Sequence, residues 1–198
     1  MNRADKTERI EVGLSERERA RLLALARAAA LYFARNRRVP SIAELGFTPT
    51  PAESLVQGAF VTLYRDGRLR GCVGEIMPQR PLCEAVLGQA VNPAFHDGRF
   101  MPCTAPELKE VSVEISALSP PCEVTDYSAI ALGRHGIVLS KSGRSAVFLP
   151  QVPGEQGWDL PCTLTHLARK AGLPPDAWKI NAHFQVFEAT VFRDDPAR

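Results

Sequence analysis

The chain lacks the cysteine and histidine spacings that build a disulfide framework or a metal site. Its five cysteines are an odd number, no two of them form a C-x-x-C pair, and its four histidines are scattered. Structural zinc and iron–sulfur sites need closely spaced ligands, so no metal site is predicted and the cofactor is unknown. The N-terminus has no apolar secretion segment, and together these absences predict a reducing, cytoplasmic setting.

A long apolar run and a strong charge of one sign are also missing. The most apolar stretch, residues 22–34, contains Arg27 and is shorter than the ~20 residues that span a bilayer. The 24 basic and 22 acidic side chains nearly cancel, which argues against a dedicated nucleic-acid or membrane surface. RNA contact through Arg35, Arg37 and Arg38 is a weak alternative, because these residues suit the negative end of a helix dipole.

Local patterns predict helices mixed with antiparallel strands. Ser15 and Glu18 form a capping box for a helix from Glu16 to Arg37. Asp66-Gly67 is typical of a hairpin turn between strand-like runs at 59–64 and 68–76. The remaining predicted elements are a helix from 81 to 91 ended by Asn92-Pro93, a half-buried strand at 111–118, a second hairpin at 136–149, a loop at 150–159, a helix at 161–171 and a final strand at 182–192.

The second strand carries the most informative motif, which reads Leu-Arg-Gly-Cys-Val-Gly over residues 69–74. Arg70, Cys72 and Gly74 share one face, which places a guanidinium near a thiol and favours the thiolate. Gly71 and Gly74 would let a ligand approach the backbone. The plain alternatives are a buried cysteine, a solvated arginine, and glycines that serve a bulge or close packing.

Several ordered motifs, from about Ser15 to the C-terminus, resemble the AMMECR domain family, also called AmmeMemoRadiSam system protein A. They are Gly67 to Gly74, Arg80-Pro81-Leu82, Ala94 to Phe100, Val113 to Ser119, Phe148 to Val152 with Gly157-Trp158, and Lys170 to Pro174 with Ala177-Trp178. The resemblance implies an α+β fold, a mainly antiparallel sheet flanked by helices with a smaller subdomain. We expect residues 1–13 to form a flexible arm and residues 14–195 a single domain, with two subdomains as an open alternative.

The resemblance also bears on the site and the partners. No established reaction comes with it, but it implies a shared pathway with a radical S-adenosylmethionine protein and a Memo-like protein. It favours Cys72 as the functional cysteine, because the other four fall outside the motifs. One departure is Gly98, which stands where the family often has proline.

Three further candidates are weaker. His96 could act as a general base near a thiol, although an exposed loop histidine is the default interpretation. Glu114 could be an acid or base in a cleft, although exposure to solvent is the simpler expectation. Trp158 could form the wall of a ligand site, or it could pack on the core.

Two main hypotheses follow from the sequence. In the first, the protein is an enzyme or ligand-processing protein in which Cys72 acts as a thiolate nucleophile or ligand and Arg70 stabilises an anion. In the second, it is a non-catalytic adaptor for the radical enzyme or the Memo-like protein. Whether the chain is an enzyme is left open.

Overall fold

The computed structural model describes residues 13–194, which contain two four-stranded antiparallel sheets and five α-helices. The α+β class predicted from the sequence is confirmed. No helix within this range is both long and apolar enough to cross a bilayer. The predicted N-terminal arm, residues 1–13, lies outside the described residues except for Gly13.

The first sheet has the strand order β2-β1-β3-β8. Its strands are β1 (Gly58–Arg65), β2 (Arg68–Glu75), β3 (Ser112–Leu118) and β8 (Ala189–Arg193). One face carries alternating apolar residues such as Val61 and Ile115, both fully buried against α1 (Glu16–Asn36) and α2 (Leu82–Phe95). Helices α1 and α2 pack on this face. Cys72 and Glu114 lie on the opposite face of the sheet, which these two helices do not cover.

The second sheet has the order β4-β7-β5-β6 and a separate hydrophobic core. Its strands are β4 (Cys122–Val124), β5 (Gly136–Lys141), β6 (Arg144–Phe148) and β7 (His183–Phe187). Leu164 and Leu167 of helix α5 (Leu160–Lys170) are completely buried in this core. Both predicted hairpins, β1–β2 and β5–β6, are confirmed.

The expected final strand is two strands that belong to different sheets. β7 pairs within the second sheet, and β8 pairs with β3 in the first, with only Glu188 between them. Glu188 and Ser119 exchange two hydrogen bonds at this crossing, of 2.9 and 3.0 Å. The periodicity of strand residues continues through the crossing, so composition alone could not reveal the change of sheet.

Two other predicted boundaries were wrong. α2 continues past Asn92-Pro93 to Phe95, because its last turn is buried in the core and packing outweighs the hydrogen bond that proline cannot donate. The predicted loop at 150–159 contains the short helix α4 (Val152–Gln156), which ends at Gly157 with a φ of 66°. The helix α3 (Glu107–Glu110) precedes β3.

Candidate functional site

A row of polar side chains crosses the outer face of the first sheet. The strand register places Cys72 opposite Thr62, Thr62 opposite Glu114, and Glu114 opposite Arg193. Residues in register on neighbouring strands lie about 5 Å apart, so the row brings together a thiol, a hydroxyl, a carboxylate and a guanidinium. These four residues come from four strands and are far apart in the sequence.

Within the row, the Thr62 hydroxyl donates a hydrogen bond to the sulfur of Cys72, with 3.2 Å between Oγ1 and Sγ. Thr62 is 6% exposed, whereas Cys72 is half-buried. The thiol is therefore held at its inner side by a buried donor while part of the residue reaches solvent.

Tyr64 completes the polar centre next to this row. Its hydroxyl donates to Oε1 of Glu114 at 3.3 Å, and the guanidinium carbon of Arg193 lies 4.1 Å from the centre of its ring. Burial raises the pKa of Tyr64, and the charge of Glu114 adds to the effect. The phenol therefore keeps its proton at neutral pH and donates it to Glu114, which leaves the phenol oxygen as an acceptor for a ligand.

A cavity of about 400 Å³ opens beside this centre. The first sheet and the segment around α4 form its walls, which are lined by Tyr64, Glu114, Gly133, Pro150, Gln151, Glu155, Ala189 and Val191. The volume falls within the range of small-molecule sites, and the lining combines apolar side chains with the polar groups of Tyr64, Glu114, Gln151 and Glu155. Glu114 is thus half-buried and faces a cavity, which differs from the exposure expected for it.

Arg70 points toward an acidic partner. Its Nε and Nη2 donate to the carboxylate of Glu107 at 2.6 and 3.2 Å, and Nη2 also donates to the carbonyl of Met101 at 2.8 Å. The Arg70 guanidinium lowers the pKa of Glu107, so the pair stays charged. A β-bulge lies at this point, since Leu63 pairs with Gly71 and Tyr64 with Leu69, and it leaves Arg70 without a partner in the register. The bulge breaks the alternation on which the predicted sharing of one face by Arg70 and Cys72 rested, and the guanidinium binds Glu107 and Met101 instead.

Asp97 and Arg99 instead occupy the free edge of β2 at Cys72. Oδ2 of Asp97 accepts from the backbone N–H of Cys72 at 3.0 Å, and Nη2 of Arg99 donates to its carbonyl at 3.3 Å. Hydrogen bonds from Arg99 hold the pKa of Asp97 well below its usual range. The two side chains thus make the contacts that a neighbouring strand would make, and they hold the Cys72 backbone.

The motif glycines have packing roles. A Cβ on Gly71 would lie 2.2 Å from the carbonyl oxygen of Pro93, because the end of α2 packs directly on β2. A Cβ on Gly74 would lie 2.3 Å from the ring of Phe60. Close packing, one of the alternatives considered for these glycines, accounts for both positions.

His96 and Trp158 lie away from the polar row. His96 is exposed, and its ring contacts Asn92 and Phe33 on the helical side of the sheet. Trp158 stacks on His166, with 4.1 Å between ring centres, and contacts Phe148. Gln151 and Glu155 of the same segment line the cavity, but Trp158 does not.

Sequence reasoning missed Thr62, Tyr64, Asp97, Arg99 and Arg193 as site residues. Asp97 and Arg99 lie within the motif at residues 94–100, but their contacts with Cys72 depend on the tertiary structure. Thr62 and Tyr64 alternate with the core residues Val61 and Leu63, and this alternation across the hairpin is the signal that could have placed them on the same face as Cys72. Within residues 13–194, no group of three or more histidine, cysteine or acidic side chains is arranged to hold a metal ion.

Comparison with known proteins places this architecture in a family. A model of the AMMECR1 family matches residues 23–192. Protein MK0488 of Methanopyrus kandleri is 43% identical over 157 residues, which cover 74% of this chain and 76% of that protein. Protein Mbar_A1807 of Methanosarcina barkeri is 34% identical, with 86% and 87% covered. The crystal structure of the uncharacterized protein PH0010 from Pyrococcus horikoshii superposes with a TM-score of 0.78 at 34% identity, covering 88% of this chain and 91% of that one.

Proposed function

Because the chain belongs to the AMMECR1 family, and no reaction comes with that membership, we propose a function from the site: a small carbonyl compound binds in the cavity beside Tyr64 and Glu114, and the Cys72 thiol adds to its carbonyl carbon. The S–C bond forms as the C=O π bond opens, and the thiol proton passes to the carbonyl oxygen, so that no leaving group is required. The observation that carries this proposal is the register of the first sheet, which aligns Cys72 with Glu114 on the face opposite the helices. A thiol needed only for packing would be expected among the core residues of the other face.

Each polar group of the site has a different role in binding such a molecule. Tyr64 keeps its proton and donates it to Oε1 of Glu114, so the phenol oxygen can accept a hydrogen bond from the bound molecule, while the other carboxylate oxygen of Glu114 can accept a proton or a hydrogen bond. Arg193 adds a positive charge at the same place. The apolar walls formed by Ala189 and Val191 bind the remainder of the ligand.

Alkylation by iodoacetamide, followed residue by residue with mass spectrometry, tests the thiol. Cys122 is exposed and Cys83 and Cys103 are buried, so the chain contains its own reference thiols. We expect half-buried Cys72 to react faster at neutral pH than exposed Cys122. Reaction rates that simply follow exposure, with Cys72 slower than Cys122, would refute the nucleophile.

A second comparison tests whether the cavity serves that thiol. Val191 is 46% exposed and lines the cavity, so Val191→Trp should narrow it. We expect this variant to slow the labelling of Cys72 by N-benzyl iodoacetamide and to leave labelling by iodoacetamide unchanged. If the variant slows both reagents equally, or slows neither, the cavity is not the route by which a bulky molecule reaches the Cys72 thiol.

A Cys72→Ser variant distinguishes this proposal from the adaptor hypothesis. An adaptor for a radical S-adenosylmethionine protein or a Memo-like protein should keep its pathway function without the thiol. Loss of that function in a variant that still folds supports a reactive Cys72. Pull-down of the two candidate partners with the same variant shows whether binding has been lost as well.

A further inference from the structure

Thr62 has a buried hydroxyl whose purpose is not explained by packing. The side chain lies in the middle of the first sheet, on β1, where valine would fill the same space and has an equally high strand propensity. Burying a hydroxyl costs free energy unless it forms a hydrogen bond. In the described part of the chain, the hydrogen bond of Oγ1 goes to Sγ of Cys72.

The direction of this hydrogen bond matters for the chemistry of sulfur. A thiol is a weak acceptor, whereas a thiolate is a charged one, and hydrogen bonds to charged acceptors are about twice as strong as neutral ones. The Thr62 hydroxyl therefore stabilises the sulfur more after it has lost its proton. It also restricts the rotation of the Cys72 side chain.

Cys72 is thus held from two sides. Asp97 and Arg99 bind its backbone from the free edge of β2, and Thr62 binds its sulfur from the interior of the sheet. A backbone clamp alone would leave the side-chain rotamer free. The contact with Thr62 removes that remaining freedom.

We propose that Thr62 is a positioning residue for Cys72, whose hydroxyl orients the sulfur and stabilises it as the thiolate. This inference rests on the proposed function, in which Cys72 is the reacting group. It adds a residue that acts through Cys72 and not through the bound molecule.

Four proteins test the proposal: the wild type, Thr62→Val, Thr62→Ala and Thr62→Ser. The valine and alanine variants lack the donor, and the serine variant keeps it. We expect iodoacetamide to alkylate Cys72 about tenfold more slowly in both donor-free variants, which is the effect of one hydrogen bond to a charged acceptor. Thr62→Ser should react within about twofold of the wild type, since it retains that hydrogen bond.

Two measurements exclude a merely structural effect. The alkylation rate of Cys122 should be the same in all four proteins, and thermal unfolding should show that Thr62→Val is folded. Unchanged reactivity of Cys72 in the donor-free variants, or equal slowing in Thr62→Ser, overturns the proposal. If the proposed function itself is wrong, the result is different: iodoacetamide then alkylates Cys72 more slowly than Cys122 even in the wild type.

Discussion

Replacing Asp97 with asparagine should destabilise the fold at the edge of β2. The Asp97 side chain is 6% exposed and accepts four hydrogen bonds, one from the amide of Cys72 and three from Arg99. An amide of the same shape loses the charge and points an NH₂ group at N–H donors. Arg99 is 59% exposed and regains water when its partner is neutral, so its contribution is discounted. The lost bond to Cys72 then dominates, and we expect the free energy of unfolding to fall by about 2 kcal/mol.

Urea denaturation at neutral pH measures this loss. Asp66→Asn is the matched control, because Asp66 is 91% exposed in a turn with a φ of 50°, a conformation that asparagine also adopts. The control should change the free energy of unfolding by less than about 0.5 kcal/mol. Equal stability of Asp97→Asn and the wild type, or an equal loss in the control, would refute the role given to this carboxylate.

The pH dependence provides an independent check on the same carboxylate. Hydrogen bonds from Arg99 depress the pKa of Asp97 in the folded state below its usual 3.8, so its stabilisation is present above 3.8 and is lost as pH falls from there toward the folded pKa. The stability difference between the wild type and Asp97→Asn should therefore be constant from neutral pH to about pH 5 and shrink below 3.8. A difference that already disappears at pH 6 would contradict the assignment.

Two further substitutions test the packing and the electrostatics. Gly71→Ala should lower the free energy of unfolding by about 2 kcal/mol or more, because the new Cβ would lie 2.2 Å from the backbone oxygen of Pro93. The control is Gly98→Ala, whose Cβ meets nothing within 4 Å and which should leave the stability in urea nearly unchanged. Burial lowers the pKa of His135 below its usual 6.5, so stability should be full above pH 6.5 and decline as pH falls from there toward the folded pKa. The part of this decline that is due to His135 should disappear in His135→Asn. It should persist in the control His183→Asn, because His183 is exposed. The same decline in the wild type and in both variants would contradict the assignment.

The chain's local elements were largely predictable, because short-range rules govern them. The capping box of Ser15 and Glu18 formed as predicted, and the Asp66-Gly67 turn joined the two strands around the motif. Pro93 shows the limit of such rules, since burial of the last helical turn overrides its tendency to end a helix. The change of sheet at Glu188 was also not predictable from the sequence, because the residues on both sides of it have strand composition.

The candidate site was predictable only in part. Strand alternation predicted that Arg70, Cys72 and Gly74 share one face of β2. The register keeps Cys72 and Gly74 on one face, but a β-bulge between Leu69 and Gly71 breaks the alternation at Arg70. Alternation did not identify the neighbours of the thiol, because these depend on the register between strands and on the path of the loop after α2. Arg70, two residues away, binds Glu107, while Arg99 reaches the Cys72 carbonyl from a loop that follows α2.

The sequence by itself determined the long helices, the two hairpins and the α+β class, since each depends on periodicity or on turn residues close together in the chain. Only the tertiary structure decided that the outer face of the first sheet borders a cavity formed with the segment around α4. It also decided that Thr62, Tyr64 and Glu114 surround the site. The physical reason is that pairing between distant strands brings together residues whose separation in the sequence contains no information about their contact.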